Sequence, residues 1–124
     1  MSIELLFLLL LGFQVKHFLA DYPLQFAYMY ENKGKLGGWV RPLSDHALVH
    51  ATFTFFITVG FVGVSIALAL GAFDYITHFL TDRWKASKRE SPTESSFWIN
   101  LGIDQMVHHT VGIIIIYVMY VVLT

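Results

Sequence analysis

From Leu43 to Asp82 the chain runs through about 40 residues of almost uninterrupted apolar helix-former, "LSDHALVHATFTFFITVGFVGVSIALALGAFDYITHFLTD". A single helix of that length would reach roughly 60 Å, twice the hydrocarbon thickness of a bilayer. The stretch must therefore fold back on itself. "VGFVG" (59–63) is its one plausible break, although it holds no Pro, Asn or Asp. Two spans are expected, 43–59 and 63–82, joined by a tight turn. Composition agrees with a membrane setting: the 124 residues are 56% hydrophobic and 14% charged, with a mean hydropathy of +0.59. A soluble domain of this size could not hide that much apolar surface.

A further span is expected on each side. "MSIELLFLLLLGF" carries Glu4 where a secretory signal would be basic, and no small-x-small cleavage site follows. It is read as the start of a span over 3–21, ended by Pro23, which disfavours helix at Tyr22. "PLQFAYMYENKGKLGGWVRP" then reads as a loop closed by Pro42, with its aromatics at the membrane surface. In "RWKASKRESPTESS", Ser91, Pro92 and Glu94 match a capping box, so the last helix is expected from Pro92 and its span over 97–123. The expected fold is an all-α, integral membrane four-helix bundle in a single domain.

Four spans put loops one–two and three–four on the same face. The first holds Lys33, Lys35 and Arg41, the second Arg83, Lys85, Lys88 and Arg89, which is seven of the eight Lys and Arg residues. Positive charge is retained on the cytoplasmic side, so both termini are expected on the non-cytoplasmic side. A three-span arrangement would split these clusters. The net charge of −1 excludes a general nucleic-acid binder. The absence of cysteine excludes disulfides, thiolate metal sites and thiol nucleophiles.

Against this apolar background the ionisable residues fall into stripes. The four spans carry, in order, His17 and Asp21; His46 and His50; Asp74, His78 and Asp82; and Asp104, His108 and His109. Spacing of i, i+4 places such residues one turn apart on one helix face. By topology most of the set lies toward the cytoplasmic ends. Every histidine and four of the five aspartates belong to it, and the fifth, Asp45, adjoins it. Single pairs of this kind serve as hydrogen-bonding glue between helices or snorkel to headgroups. Four pairs on four helices at one depth point instead to a shared functional site.

Imidazole with carboxylate suits Zn²⁺, Mn²⁺ or Fe²⁺, with zinc preferred. Ten candidate ligands exceed what one tetrahedral ion needs. They imply two ions, or one ion whose histidines are oriented by further carboxylates. A dication would also offset the carboxylates that lipid alone penalises. Gln14, Gln25 and Gln105 lie near the stripes, Lys16 is expected to snorkel, and Arg83 and Lys85 flank the wet side, where a phosphate could be held. There is no Gly-rich phosphate loop, G-x-S-x-G or H-E-x-x-H.

"HFLADYPLQ" (17–25), "HALVH" (46–50), "HFLTDRWK" (78–85) and "DQMVHH" (104–109) resemble, in order and spacing, a family of small bacterial and phage membrane proteins known as domain of unknown function 3307 (DUF3307). The resemblance implies His17, Asp21, Gln25, His46, His50, His78, Asp82, Lys85, Asp104, Gln105 and His108 as motif positions, and a bacterial inner membrane as the location. Asp74 and His109 lie outside those motifs and rest on helical phase alone. A looser likeness is to LexA-regulated inner-membrane metal-dependent hydrolases.

Three functions fit these readings. A membrane-embedded metal-dependent hydrolase would use a metal-activated water on a lipid or lipid-linked ester or phosphoester, with Asp104, His50 and Asp82 expected to carry the chemistry. A metal-stabilised structural or regulatory protein would use the same cluster only to hold its helices. A divalent cation or proton transporter would need polar residues continuing toward the outer face, where "LLFLLLLGF" and "VGIIIIYVMYVVL" are nearly all apolar. A di-iron oxidase would lean on glutamate ligands, and this set contains none.

Overall fold

A computed structural model describes all 124 residues. It contains α1 (Ile3–Asp21), a short α2 (Ala27–Asn32), α3 (Val40–Val62), α4 (Val64–Ser87) and α5 (Ser95–Leu123). Every helix except α2 is long and apolar enough to cross a membrane. Of 95 backbone–backbone hydrogen bonds, 80 close within helices. That self-sufficiency is what a chain in lipid requires, because no water is there to satisfy an open amide.

The long helices pack in the ring order α1, α3, α4, α5, which leaves α1 and α4 facing each other across the bundle. Phe7, Leu8 and Leu11 on α1, Phe56 on α3, Leu80 on α4 and Tyr117 on α5 are each more than half exposed. The interior has two layers. Toward the termini, Leu9, Phe13, Leu70, Val111, Ile115, Ile116 and Met119 form an apolar core. Toward the loops the interior is polar, built from histidine, aspartate and threonine. Polar inside and apolar outside is the arrangement lipid favours.

The turn between α3 and α4 is a single residue. Gly63 has φ 79° and ψ 168°, a region essentially restricted to glycine. α3 therefore runs three residues past its expected end, to Val62, and α4 starts at Val64, one residue after its expected start. A Cβ at Gly63 meets nothing within 4 Å, so backbone conformation alone demands glycine there. Gly63→Ala is expected to destabilise the bundle by about 1–3 kcal/mol. Gly60→Ala, at an exposed helical position with equal space, should be neutral or gain up to about 1 kcal/mol. Unfolding in detergent would check the contrast, and equal effects would refute it.

The loop face departs further from expectation. The first loop contains α2, and α3 begins at Val40, with Pro42 in its first turn rather than closing the loop. Proline is tolerated there because first-turn amides have no intrahelical acceptor. Ser91 does not cap α5. Its hydroxyl accepts from the Thr93 amide (3.3 Å) within a separate turn, and the helix starts at Ser95 after an extended Glu94. The Trp98 indole donates to the Pro92 carbonyl (2.8 Å), holding that turn against the helix.

The two basic loops share one face and touch. Arg83 donates to the Lys33 carbonyl (3.1 Å) and Arg89 to that of Gly34 (3.3 Å). At Gly34 a side chain would lie 3.1 Å from the Ala86 carbonyl, so glycine permits the close approach of loop to α4.

Candidate metal centre

Helical phase fixes where each stripe points, and the ring packing brings the stripes to one place. His17 and Asp21 come from the last turns of α1, His46 and His50 from the early turns of α3, His78 and Asp82 from the later turns of α4, and Asp104 and His108 from the first half of α5. All of these except Asp21 are buried, and Asp21 is nearly so. The rings of His50, His78 and His108, from three different helices, stack in a column with centroids 3.8 and 4.0 Å apart. His17 stands beside that column, 5.8 Å from both His50 and His108. His46 meets His50 edge-on at 4.9 Å.

The carboxylates thread between the rings. Asp21 lies 3.1 Å from His17, 3.4 Å from His46 and 2.8 Å from His50. Asp82 presents Oδ2 to His46 (3.1 Å) and Oδ1 to His108 (2.8 Å). Asp104 sits 3.4 Å from His108. Three sets of donor atoms lie close enough for each set to hold one ion: His17, His50 and His78; Asp21, His46 and His50; and Asp82, Asp104 and His108. His50 belongs to two of them.

Several ring nitrogens are buried without a hydrogen-bond partner: Nδ1 of His46, His50 and His108 and Nε2 of His78. Buried polar atoms are ordinarily satisfied, because leaving one unpaired costs about 1–3 kcal/mol. Imidazole lone pairs on three helices, left unmatched beside carboxylates, are the donor chemistry a borderline dication takes. The residues fit a metal.

Other positions divide. Gln105 Oε1 accepts from the His17 ring (2.8 Å) and its amide nitrogen donates to Asp104 (3.1 Å), so it orients one member of each of two donor sets. Gln25 caps α1 by donating to the Asp21 carbonyl (2.6 Å) and accepts from Lys33 (2.8 Å). Gln14 points outward and touches none of the stripe. Asp45 lies outside the cluster, where it accepts from Tyr28 (2.5 Å) and raises that phenol above its ordinary range. His109 is half-buried, with its ring 4.6 Å from that of His17, and belongs to none of the three donor sets. Arg83 is turned away from the cluster, over the face of Trp39 at 3.9 Å.

Asp74 also stands apart from the three sets, for a reason not visible in the sequence. Lys16 does not snorkel. It is 4% exposed and crosses the bundle diagonal to Asp74, with Nζ 2.6 Å from Oδ2. The Thr54 hydroxyl donates to the same carboxylate. Asp74 Oδ1 lies 2.8 Å from His78 Nδ1, which leaves His78 Nε2 for the cluster. A carboxylate that fixes the ring of a ligating histidine is a recurrent partner of metal sites. Thr54 and Thr58, both fully buried, extend this polar file below the cluster until the apolar core closes it. Their signal was the i+4 continuation of the His46–His50 stripe.

A cleft of about 350 Å³ opens from the loop face onto the cluster, lined by Asp21, Asp82 and Asp104 together with Lys33, Lys85 and Arg89. The centre is thus reachable from the polar side and sealed on the other.

Fold and site together define a membrane-spanning helical bundle whose buried His/Asp groups can hold metal ions. Residues 5–124, nearly the whole chain, match the family described as protein of unknown function (DUF3307), and the chain belongs to that family. No curated protein and no solved structure matches it.

Proposed function

We propose that this protein is a membrane-embedded, metal-dependent hydrolase acting on a lipid or lipid-linked ester or phosphoester at the cytoplasmic leaflet of a bacterial inner membrane. The observation that carries this reading is a buried His/Asp cluster placed directly under a cleft open to the polar face. A packing cluster has no need of an opening, and a transport path would need one on each side.

Zinc is the preferred ion, with manganese or iron as alternatives, and such an ion would supply Lewis acidity toward the scissile group and toward water. Asp82, with its two oxygens on different histidines, would hold an ion together with Asp104 and His108 and orient His46 beside it. Asp104 lines the cleft and would take a proton from an attacking water. His50, common to two donor sets, ties the centre together. Lys33, 3.3 Å from Asp82, brings positive charge to that carboxylate on the cleft side.

The test is hydrolysis of a model phosphoester by metal-loaded protein in detergent. His50→Ala and Asp104→Ala should each reduce turnover by at least about a hundredfold, the scale of losing a positioned acid–base or metal-polarising group. Undiminished turnover in both variants would refute the reading. A metal-stabilised structural or regulatory protein is the second reading, favoured by the way Asp21 ties α1 to α3 and Asp82 ties α4 to both α3 and α5. It predicts stoichiometric metal with no turnover on any lipid.

A further inference from the structure

The cleft above the cluster has a lining that the metal centre does not account for. Its floor is Asp21, Asp82 and Asp104, and its walls bring in Lys33, Lys85 and Arg89 from two separate loops and the end of α4. Each cation is held in place. Lys33 bonds Gln25 (2.8 Å), and Lys85 lies over the Phe97 ring at 4.2 Å. Arg89 is anchored through Nε on the Gly34 carbonyl (3.3 Å), and it is the one non-glycine residue with positive φ (53°). Strain of that kind persists where the surroundings over-determine a conformation, and it recurs at ligand sites. Glu90, the remaining carboxylate of the lining, is held by the Asn100 amide at 2.8 and 3.0 Å, which lowers its pKa and keeps it ionised.

Charge decides what such a cleft can take. Three cations face four carboxylates, so with neutral histidines its formal charge is −1, and it should repel an anion. One divalent ion on the cluster reverses the sign. Asp21, Asp82 and Asp104 belong both to the donor sets and to the cleft lining, so an ion they held would face a ligand entering the cleft. The space, about 350 Å³, is at the small end of ligand pockets and suits a headgroup rather than an acyl chain.

We infer that this cleft is a phosphomonoester site that forms only when the metal is bound, with Lys85 and Arg89 taking the phosphate oxygens that do not face the metal. The inference rests on the proposed metal centre and narrows its substrates to groups with a terminal phosphate, such as a phosphatidate headgroup or a free phosphate. A point charge from Lys85 and a planar fork from Arg89 are complementary means of holding such a group. Because each ligand favours the other, the coupling must be reciprocal: phosphate tightens metal binding as much as metal tightens phosphate.

The experiment measures Zn²⁺ affinity of the full chain in nanodiscs by competition with a chromophoric chelator. It is run in phosphatidylcholine alone, with inorganic phosphate added, and with phosphatidate in the bilayer. Phosphate or phosphatidate should raise Zn²⁺ affinity roughly tenfold, within the usual range of coupling between sites. An effect of phosphatidate alone identifies a lipid headgroup, and an effect of both identifies the phosphate group itself. In Lys85→Gln and Arg89→Gln the ratio of affinities with and without the anion should fall toward one. Zn²⁺ binding that neither anion changes would overturn the phosphate site and leave the metal centre standing. No Zn²⁺ binding under any condition would overturn both.

Discussion

Lys16→Met is expected to destabilise the protein by about 3–5 kcal/mol, the scale of stripping one partner from a buried ion pair. Lys16 and Asp74 are 4% and 1% exposed and meet at 2.6 Å across the bundle. Without the ammonium, Asp74 keeps a hydroxyl from Thr54 and a contact with His78, but no full positive charge. An isolated charge at that depth has neither water nor a counter-ion to compensate it. The companion variant decides the cause. Adding Asp74→Asn to Lys16→Met removes the orphaned charge and should recover most of the loss, leaving about 1 kcal/mol for the weakened hydrogen bonds. Unfolding in detergent checks both. A loss below about 1 kcal/mol in the single variant would show that Lys16 reaches the interface after all. A double variant as unstable as the single would show that packing, not charge, holds the diagonal.

Removal of metal should have an effect of similar size. A protein saturated at a thousand times its dissociation constant loses about 4 kcal/mol of stability when the ion is stripped. Here the donors come from four helices, so an ion would bind the assembled bundle and not its separated segments. Purified protein treated with a strong chelator should therefore unfold at markedly lower temperature and recover when a divalent transition metal is returned. Elemental analysis before and after supplies the stoichiometry, one or two ions per chain. Thermal stability indifferent to chelation, with no metal found, would remove the centre and reduce the cluster to interhelical hydrogen bonding.

Much of the architecture was legible without coordinates, and the reasons are local. Pro23 ends α1 where it should, because proline acts on its immediate neighbours. The i, i+4 stripes were assigned to single faces because helix geometry leaves no other outcome. The boundaries that were misplaced depended on less local facts. Ser91 has the right chemistry for a cap, yet its hydroxyl is engaged by a turn whose position Trp98 and Asn100 help to set from within α5.

The side chains placed differently from expectation tell the same story at longer range. Lys16 and His17 are adjacent in sequence, but about 100° apart around α1. One faces Asp74 on the opposite helix, and the other faces the imidazole column. Gln14 sits near the His17 stripe in phase but points out of the bundle. Arg83 and Arg89 are equally charged, and only Arg89 lines the cleft.

The amino-acid sequence by itself determined that this chain crosses a membrane in helices and that its histidines and aspartates lie in stripes along them. Both follow from hydropathy and the helical repeat, which are properties of contiguous residues. The tertiary structure alone decided which stripes meet, that Lys16 neutralises Asp74, and that a cleft with Arg89 on its wall opens above the cluster. Those depend on how each helix is rotated and which neighbour it packs against, a balance of contacts between residues far apart in the chain that no local pattern encodes.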